Sequence, residues 1–428
     1  MPPDRLPRIV LGLAVALGLA VLAAHPRVKA IERRLGVTVL ISAGVPFLAM
    51  GAIFAQPSVG ILTADIRRDL LPAFEFGLGW IGFVIGTQFD LHRLERLPSS
   101  LGSVIAIESL VPMLTTAGLC SMAFVGLGVP WRNVDFLRDA LVLAACAAPS
   151  APLAVELWRS RVGAKGADLL HEITLLDEVT ALTVLGAVAI FFRPEASTTR
   201  WVLPSSAWLL VTLGLGVVLG VVTYVLIRGA KSGAEELAFL LGAIALSSGM
   251  AGYLALSVPV VCAIAGAQLA NLPLRDLTGL RKTLLDVERP LYLVFLLIVG
   301  ATWRPTEWQG WVIAPAFVLA RTAGKRLGAI WSRRVGPPEL PSARAMALAL
   351  TPQSPISIVA MVSAATLYQG SHPDRVRWGI NAVIIGGVLT EIVVRFLERY
   401  YAKSTFTPLP LGVPRAAARD RDRDERRA

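Results

Sequence analysis

Asp177 and Glu178 stand side by side near the middle of HEITLLDEVTALTVLGAVAI, the otherwise apolar run from His171 to Ile190. An ionisable group at the centre of a membrane-spanning helix costs roughly 2.5 to 3.5 kcal/mol on insertion scales, so a neighbouring pair needs a cavity, a counter-charge or protons. Two carboxylates in a low-dielectric cavity repel one another, and a nearby lysine offsets that repulsion. Such a pair can hold either a monovalent cation or protons, and competition for it would couple the two flows. Adjacent helical positions are about 100° apart, so both acids reach one ion only if it lies between their faces. Glu178 is the expected principal ligand and proton carrier, with Asp177 paired to a base when no ion is bound.

The candidate base is Lys325. In FVLARTAGKRLGAIW, Arg321 and Lys325 stand four residues apart on one helical face, and Gly324 and Gly328 let a second helix approach closely. Arg326 and Arg333 lie nearer the end of that run, where long basic side chains snorkel to water, and Lys325 could do the same. Glu108, in SVIAIESLVPM, sits in another apolar run and is expected to pair structurally with Arg321.

The elements that must position these groups follow from composition. With 55% apolar and 17% charged residues and a mean hydropathy of +0.64, the chain reads as an all-α polytopic membrane protein. The net charge of +11 comes from short basic clusters between apolar runs, as in cytoplasmic loops, so nucleic acid is not the expected partner. Cys120, Cys146 and Cys262 lack zinc or disulfide spacing. His171-Glu172 opens like a zinc-protease motif, but the second histidine position is Leu175. His25, His92, His171 and His372 all fall at run ends or loops, so no nucleophile-base pair indicates an enzyme, and no cofactor is implied.

About thirteen runs approach the length of about 20 residues that crosses a membrane. They lie near 9–24, 37–55, 70–87, 101–127, 140–157, 169–192, 208–227, 237–254, 258–272, 291–303, 312–330, 345–367 and 380–396. The first could be a signal peptide, but Arg27, Lys29, Arg33 and Arg34 behind it favour a retained helix with the N-terminus outside. Arg159, Arg161 and Lys165, then Arg275, Arg281, Lys282 and Arg289, then Arg333, Arg334 and Arg344 fall on the same, cytoplasmic side. The charged tail at 401–428 is then cytoplasmic and reads as solvated and disordered. A bacterial inner (plasma) membrane is the expected location.

Two runs carry a close pair of prolines, which a continuous helix does not accommodate. They are Pro149-Ser150-Ala151-Pro152 in the fifth and Pro352-Gln353-Ser354-Pro355, after Thr351, in the twelfth. The twelfth lies seven runs after the fifth, an odd displacement, so the two copies cross in opposite directions. That is the signature of inverted-topology repeats whose discontinuous helices meet near the midplane, where free carbonyls and helix ends can hold a cation.

These pieces together resemble the cation/proton antiporter superfamily, and within it the bacterial sodium/proton antiporters with thirteen spans. LLDEVTALTVL (175–185) is similar to the paired-acid helix and TAGKRLGA (322–329) to the lysine-bearing helix. AFEFGLGWIGFVIGTQFDL, LSVPVVCAIAGAQLAN and VERPLYLVFLLIVGATW resemble three further spans, and the likeness covers most of residues 1–400. It implies ion-transport core helices at about 101–192 and 312–396, scaffold helices at about 9–87 and 208–303, and a homodimer formed through the outer spans. It also implies exchange of Na+, or of Li+ or K+, for protons by alternating access. Glu178 stands where the family usually has aspartate, Gln88 where an acid is usual, and the first break has Ala147-Ala148-Pro149 where hydroxyls are common. Those departures motivate a second reading, a membrane sensor or scaffold that keeps the fold without transport. A sodium-coupled solute carrier on the same architecture is a third.

Overall fold

The structure, a computed structural model, describes residues 45–57, 59–194, 203–273, 277–368 and 373–405. The run at 9–24, the start of the second run, the basic loop with Arg27 to Arg34, Arg275 and the tail from 406 lie outside the described residues. So do the side chains of Arg281, Lys282 and Arg289.

Among the described residues the chain forms sixteen helices and no strand. Helices α1 (Val45–Phe54), α2 (Ala64–Asp69), α3 (Leu71–Gln88) and α4 (Leu91–Leu94) lead into the long α5 (Ser99–Gly126). The fifth apolar run is two helices, α6 (Val134–Ala147) and α7 (Pro152–Val162), and α8 (Ala164–Phe191) follows. Next come α9 (Ser205–Gly229), α10 (Gly233–Tyr253), α11 (Val258–Ala270) and α12 (Leu277–Thr302). After α13 (Trp308–Val335) the twelfth run is again two helices, α14 (Ala343–Leu350) and α15 (Ile356–Tyr368), and α16 (Pro373–Thr405) closes the series.

The prolines explain both interruptions. Pro149 bars helical continuation of α6, because its ring clashes with the preceding turn and it lacks an N–H. Pro152 opens α7 at the first helical position, where a missing N–H leaves nothing unpaired. Pro352 and Pro355 bracket the other break in the same way. Gly163, at φ 77°, ends α7 in a left-handed conformation that L side chains rarely adopt, and the chain turns directly into α8.

Five segments, Ser99–Gly126, Ala164–Phe191, Ser205–Gly229, Gly233–Tyr253 and Asp374–Val394, are long and apolar enough to cross a membrane by themselves. α13 is long enough but carries several charges. In one packing group α3 lies on α10 and α11, α1 on α12, and α9 on α11. In the other α5 lies on α6 and α13, α13 on α16, and α15 on α6 and α16. The acid-bearing α8 touches both groups. Missing side chains set the closest approaches: a Cβ on Gly324 of α13 would sit 2.5 Å from the Pro112 Cα of α5.

Candidate functional site at the helix crossing

Each break leaves backbone donors and acceptors without helical partners, which is costly inside a membrane. The two breaks satisfy part of each other's need. Ser150 and Gln353 pair as an isolated antiparallel bridge. Its neighbours Ala151 N and Ser354 N donate to Pro352 O at 3.0 Å and Pro149 O at 3.2 Å.

Those two carbonyls and three of their neighbours also meet a cation. Arg321 of α13, with no exposed surface, donates through Nε to Thr351 O at 3.1 Å and through Nη2 to Pro149 O at 2.7 Å, Pro352 O at 3.2 Å and Leu350 O at 3.5 Å. Its Nη1 donates to Ala147 O. These oxygens mark the C-terminal ends of α6 and α14, where the helix dipoles place partial negative charge and a cation is favourable. The expected Glu108–Arg321 pair is therefore not formed. Glu108 Oε1 instead accepts from Ser332 Oγ at 3.1 Å, and a guanidinium with a fixed fork of donors is better satisfied by converging carbonyls than by one carboxylate.

The acids lie at the opposite poles, beside the N-terminal ends of α7 and α15. Asp177 Oδ2 accepts from Lys325 Nζ at 3.1 Å and from Ser150 Oγ at 2.8 Å, while Oδ1 accepts from Ser150 N at 3.2 Å. Lys325 Nζ also donates to the Glu108 carbonyl at 3.0 Å. Glu178 Oε1 accepts from Ser354 Oγ at 2.7 Å. Asp177 and Lys325 are fully buried and Glu178 is 5% exposed, so Lys325 does not snorkel, whereas Arg326 and Arg333 are exposed. The structure thus brings together Asp177, Glu178, Lys325, Ser150 and Ser354.

Other candidates line the crossing away from the acids. Gln353 turns to α16, its Nε2 donating to Val383 O at 3.4 Å, and the Thr351 hydroxyl donates back to Ala347 O at 2.6 Å. Glu172, the acid of the abandoned zinc motif, pairs with Arg93. The donors around the acid pair are carboxylate and hydroxyl oxygens, which suit hard cations better than soft metals. Among the described residues no cluster of three or more His, Cys, Asp or Glu forms a metal-ion site.

The sequence pattern of the sodium/hydrogen exchanger family, transmembrane, matches residues 19–397. The chain belongs to that family. The resemblance carried by LLDEVTALTVL and TAGKRLGA is borne out at this level. The fold of this exchanger-family chain is similar to that of the sodium proton antiporter MjNhaP1 from Methanocaldococcus jannaschii at pH 8. The match has a TM-score of 0.63 and 18% identity, covering 93% of this chain and 97% of that one. No curated protein matches it in sequence. Within this exchanger-family fold, two features escape sequence reasoning. Arg321 as a clamp on five carbonyls is one, and the pairing of each acid with the serine of one break is the other. The signal that could have found the second was present, since Ser150 and Ser354 are the two hydroxyls inside the PSAP and PQSP motifs.

Proposed function

We propose that this chain exchanges a monovalent cation for protons by alternating access, with Na+ the first cation to test and Li+ and K+ the alternatives. The observation that carries the reading is the contact of Lys325 with Asp177 at 3.1 Å beside Glu178, among carboxylate and hydroxyl oxygens. A cation entering between the acids competes with Lys325 for Asp177 and with a proton for Glu178. Cation and protons thus occupy the site in turn, and the flows are coupled. Glu178, bonded to Ser354, is the principal ligand and proton carrier, and Asp177 holds Lys325 in the ion-free state. The group of α5 to α8 and α13 to α16 acts as the transport unit against a scaffold of α1, α3 and α9 to α12, and the scaffold forms a homodimer in a bacterial inner membrane with the N-terminus outside. Ser150 and Ser354 supply hydroxyls to both acids, which supports transport over a non-transporting sensor.

The test is proton flux in proteoliposomes of the full chain on addition of sodium, lithium or potassium across a range of pH. Cation-dependent proton movement that Glu178→Gln abolishes is the expected result. Wild-type protein that moves no protons in response to any of the three cations would end the exchanger reading and leave the scaffold reading in its place.

A further inference from the structure

Glu108 is the one carboxylate of the crossing that the proposed exchange does not use. It has no exposed surface, and among the described residues its Oε1 takes a single hydroxyl, from Ser332, and its Oε2 has no hydrogen-bond partner. Space has been left for it on the facing helix. A Cβ on Gly328 would lie 3.1 Å from Oε1 and 3.3 Å from Oε2, so the carboxylate occupies the gap of that glycine. The charged groups acting on Glu108 are Lys325 of α13 and Asp177 of α8. Arg321 of α13 is consumed by carbonyls. On α6, the third helix packed against α5, the charged residues Asp135, Arg138 and Asp139 form ion pairs with one another, and Arg375 joins them.

Lys325 already bridges the two acids' helices, since its Nζ donates at once to Asp177 Oδ2 and to the Glu108 backbone carbonyl. A cation that takes Asp177 leaves this ammonium buried without a counter-charge, and an uncompensated buried charge is strongly destabilising. The geometry points to Glu108 as the second counter-charge of Lys325. When an ion occupies the acid pair, the ammonium stays anchored on the Glu108 carbonyl and turns its remaining donors to the Glu108 carboxylate. Glu108 is thus a positioning residue that acts through Lys325 and never touches the ion. The crossing contains three carboxyls, Glu108, Asp177 and Glu178, and two bases, Arg321 and Lys325. One further positive charge balances it, delivered either as a proton or as the cation. This inference rests on the exchange reading for its purpose and on the observed contacts for its content.

The experiment measures cation binding rather than transport. Purified full-length protein is unfolded thermally over a series of sodium concentrations and pH values. Glu108→Gln keeps the side-chain volume and the Ser332 contact but removes the alternative counter-charge, so Lys325 holds Asp177 against the ion. The half-saturating sodium concentration is expected to rise about tenfold, and the pH dependence of binding to differ from wild type. Ser332→Ala frees the carboxylate toward Lys325 and is expected to lower the half-saturating concentration. Wild-type sodium dependence and pH profile in Glu108→Gln overturn the inference, as does a loss of stability identical with and without sodium. If Glu108→Gln does not fold, Ser332→Ala decides: unchanged binding overturns the inference and tighter binding supports it. Wild-type protein that sodium does not stabilise overturns it together with the exchange reading. Sodium-dependent stabilisation with the expected shifts, but without proton flux in vesicles, ends the exchange reading alone.

Discussion

The break between α6 and α7 offers Asp177 a backbone N–H and a hydroxyl, both from Ser150, and that same acid also carries the Lys325 ammonium. The break between α14 and α15 offers Glu178 the hydroxyl of Ser354, on an acid one methylene longer than its neighbour. The backbones of the two breaks are nearly equivalent, paired antiparallel through Ser150 and Gln353 and clamped together by Arg321. Their side-chain chemistry is not equivalent. An inverted repeat supplies two similar half-sites; Lys325 bonds to the acid of one, and on the proposed mechanism the ion takes the other.

The comparison breaks most severely if the shared frame is removed. Arg321→Met takes the charged donor from five carbonyls, of which Pro149 O and Pro352 O keep a backbone donor, and is expected to cost at least about 3 kcal/mol of stability, read by thermal or denaturant unfolding. Wild-type stability would mean that the backbone bridge holds the crossing unaided. Next comes the ion-bearing half: Glu178→Gln should leave protein folded but without cation-driven proton flux, while Glu178→Asp keeps flux and changes the order of cation preference. Lys325→Ala removes the asymmetry itself. It should alter the pH dependence of exchange while flux at saturating cation persists, and an unchanged profile with unchanged stability would make the lysine a packing residue. The smallest expected difference lies between the two serines. Ser354→Ala should weaken apparent cation affinity by about fivefold, the equivalent of about 1 kcal/mol for one hydrogen bond. Ser150→Ala, which keeps the backbone N–H to Asp177, should cost similar stability with little change in affinity. Equal affinity losses from both would mean that the halves are not divided as described.

Much of this was legible from residue types because the membrane punishes exceptions. Charges at 177, 178, 321 and 325 and paired prolines at 149, 152, 352 and 355 are costly in apolar runs, so each one marked a site. The two-helix form of the fifth and twelfth runs follows from the same rule. What sequence could not supply was the choice among partners. Arg321 had an apparent acid across the repeat, and the decision in favour of carbonyls depends on how the ends of α6 and α14 converge. Gln353 and Ser354 are neighbours in one motif, yet one faces α16 and the other faces Glu178, a difference of backbone direction at the break. The Asp90 side chain caps α4 by accepting from His92 N at 2.9 Å, a local pattern that sequence reads well.

The Asp177–Lys325 contact spans 148 residues of chain, which has a consequence for biogenesis. A ribosome adding roughly 5 to 20 residues per second delivers the acid pair to the membrane about 7 to 30 s before its lysine. For that interval Asp177 lacks the Lys325 ammonium and the crossing lacks the Arg321 guanidinium. The candidate site is therefore complete only once the second half of the chain has been made, although its acids are made early.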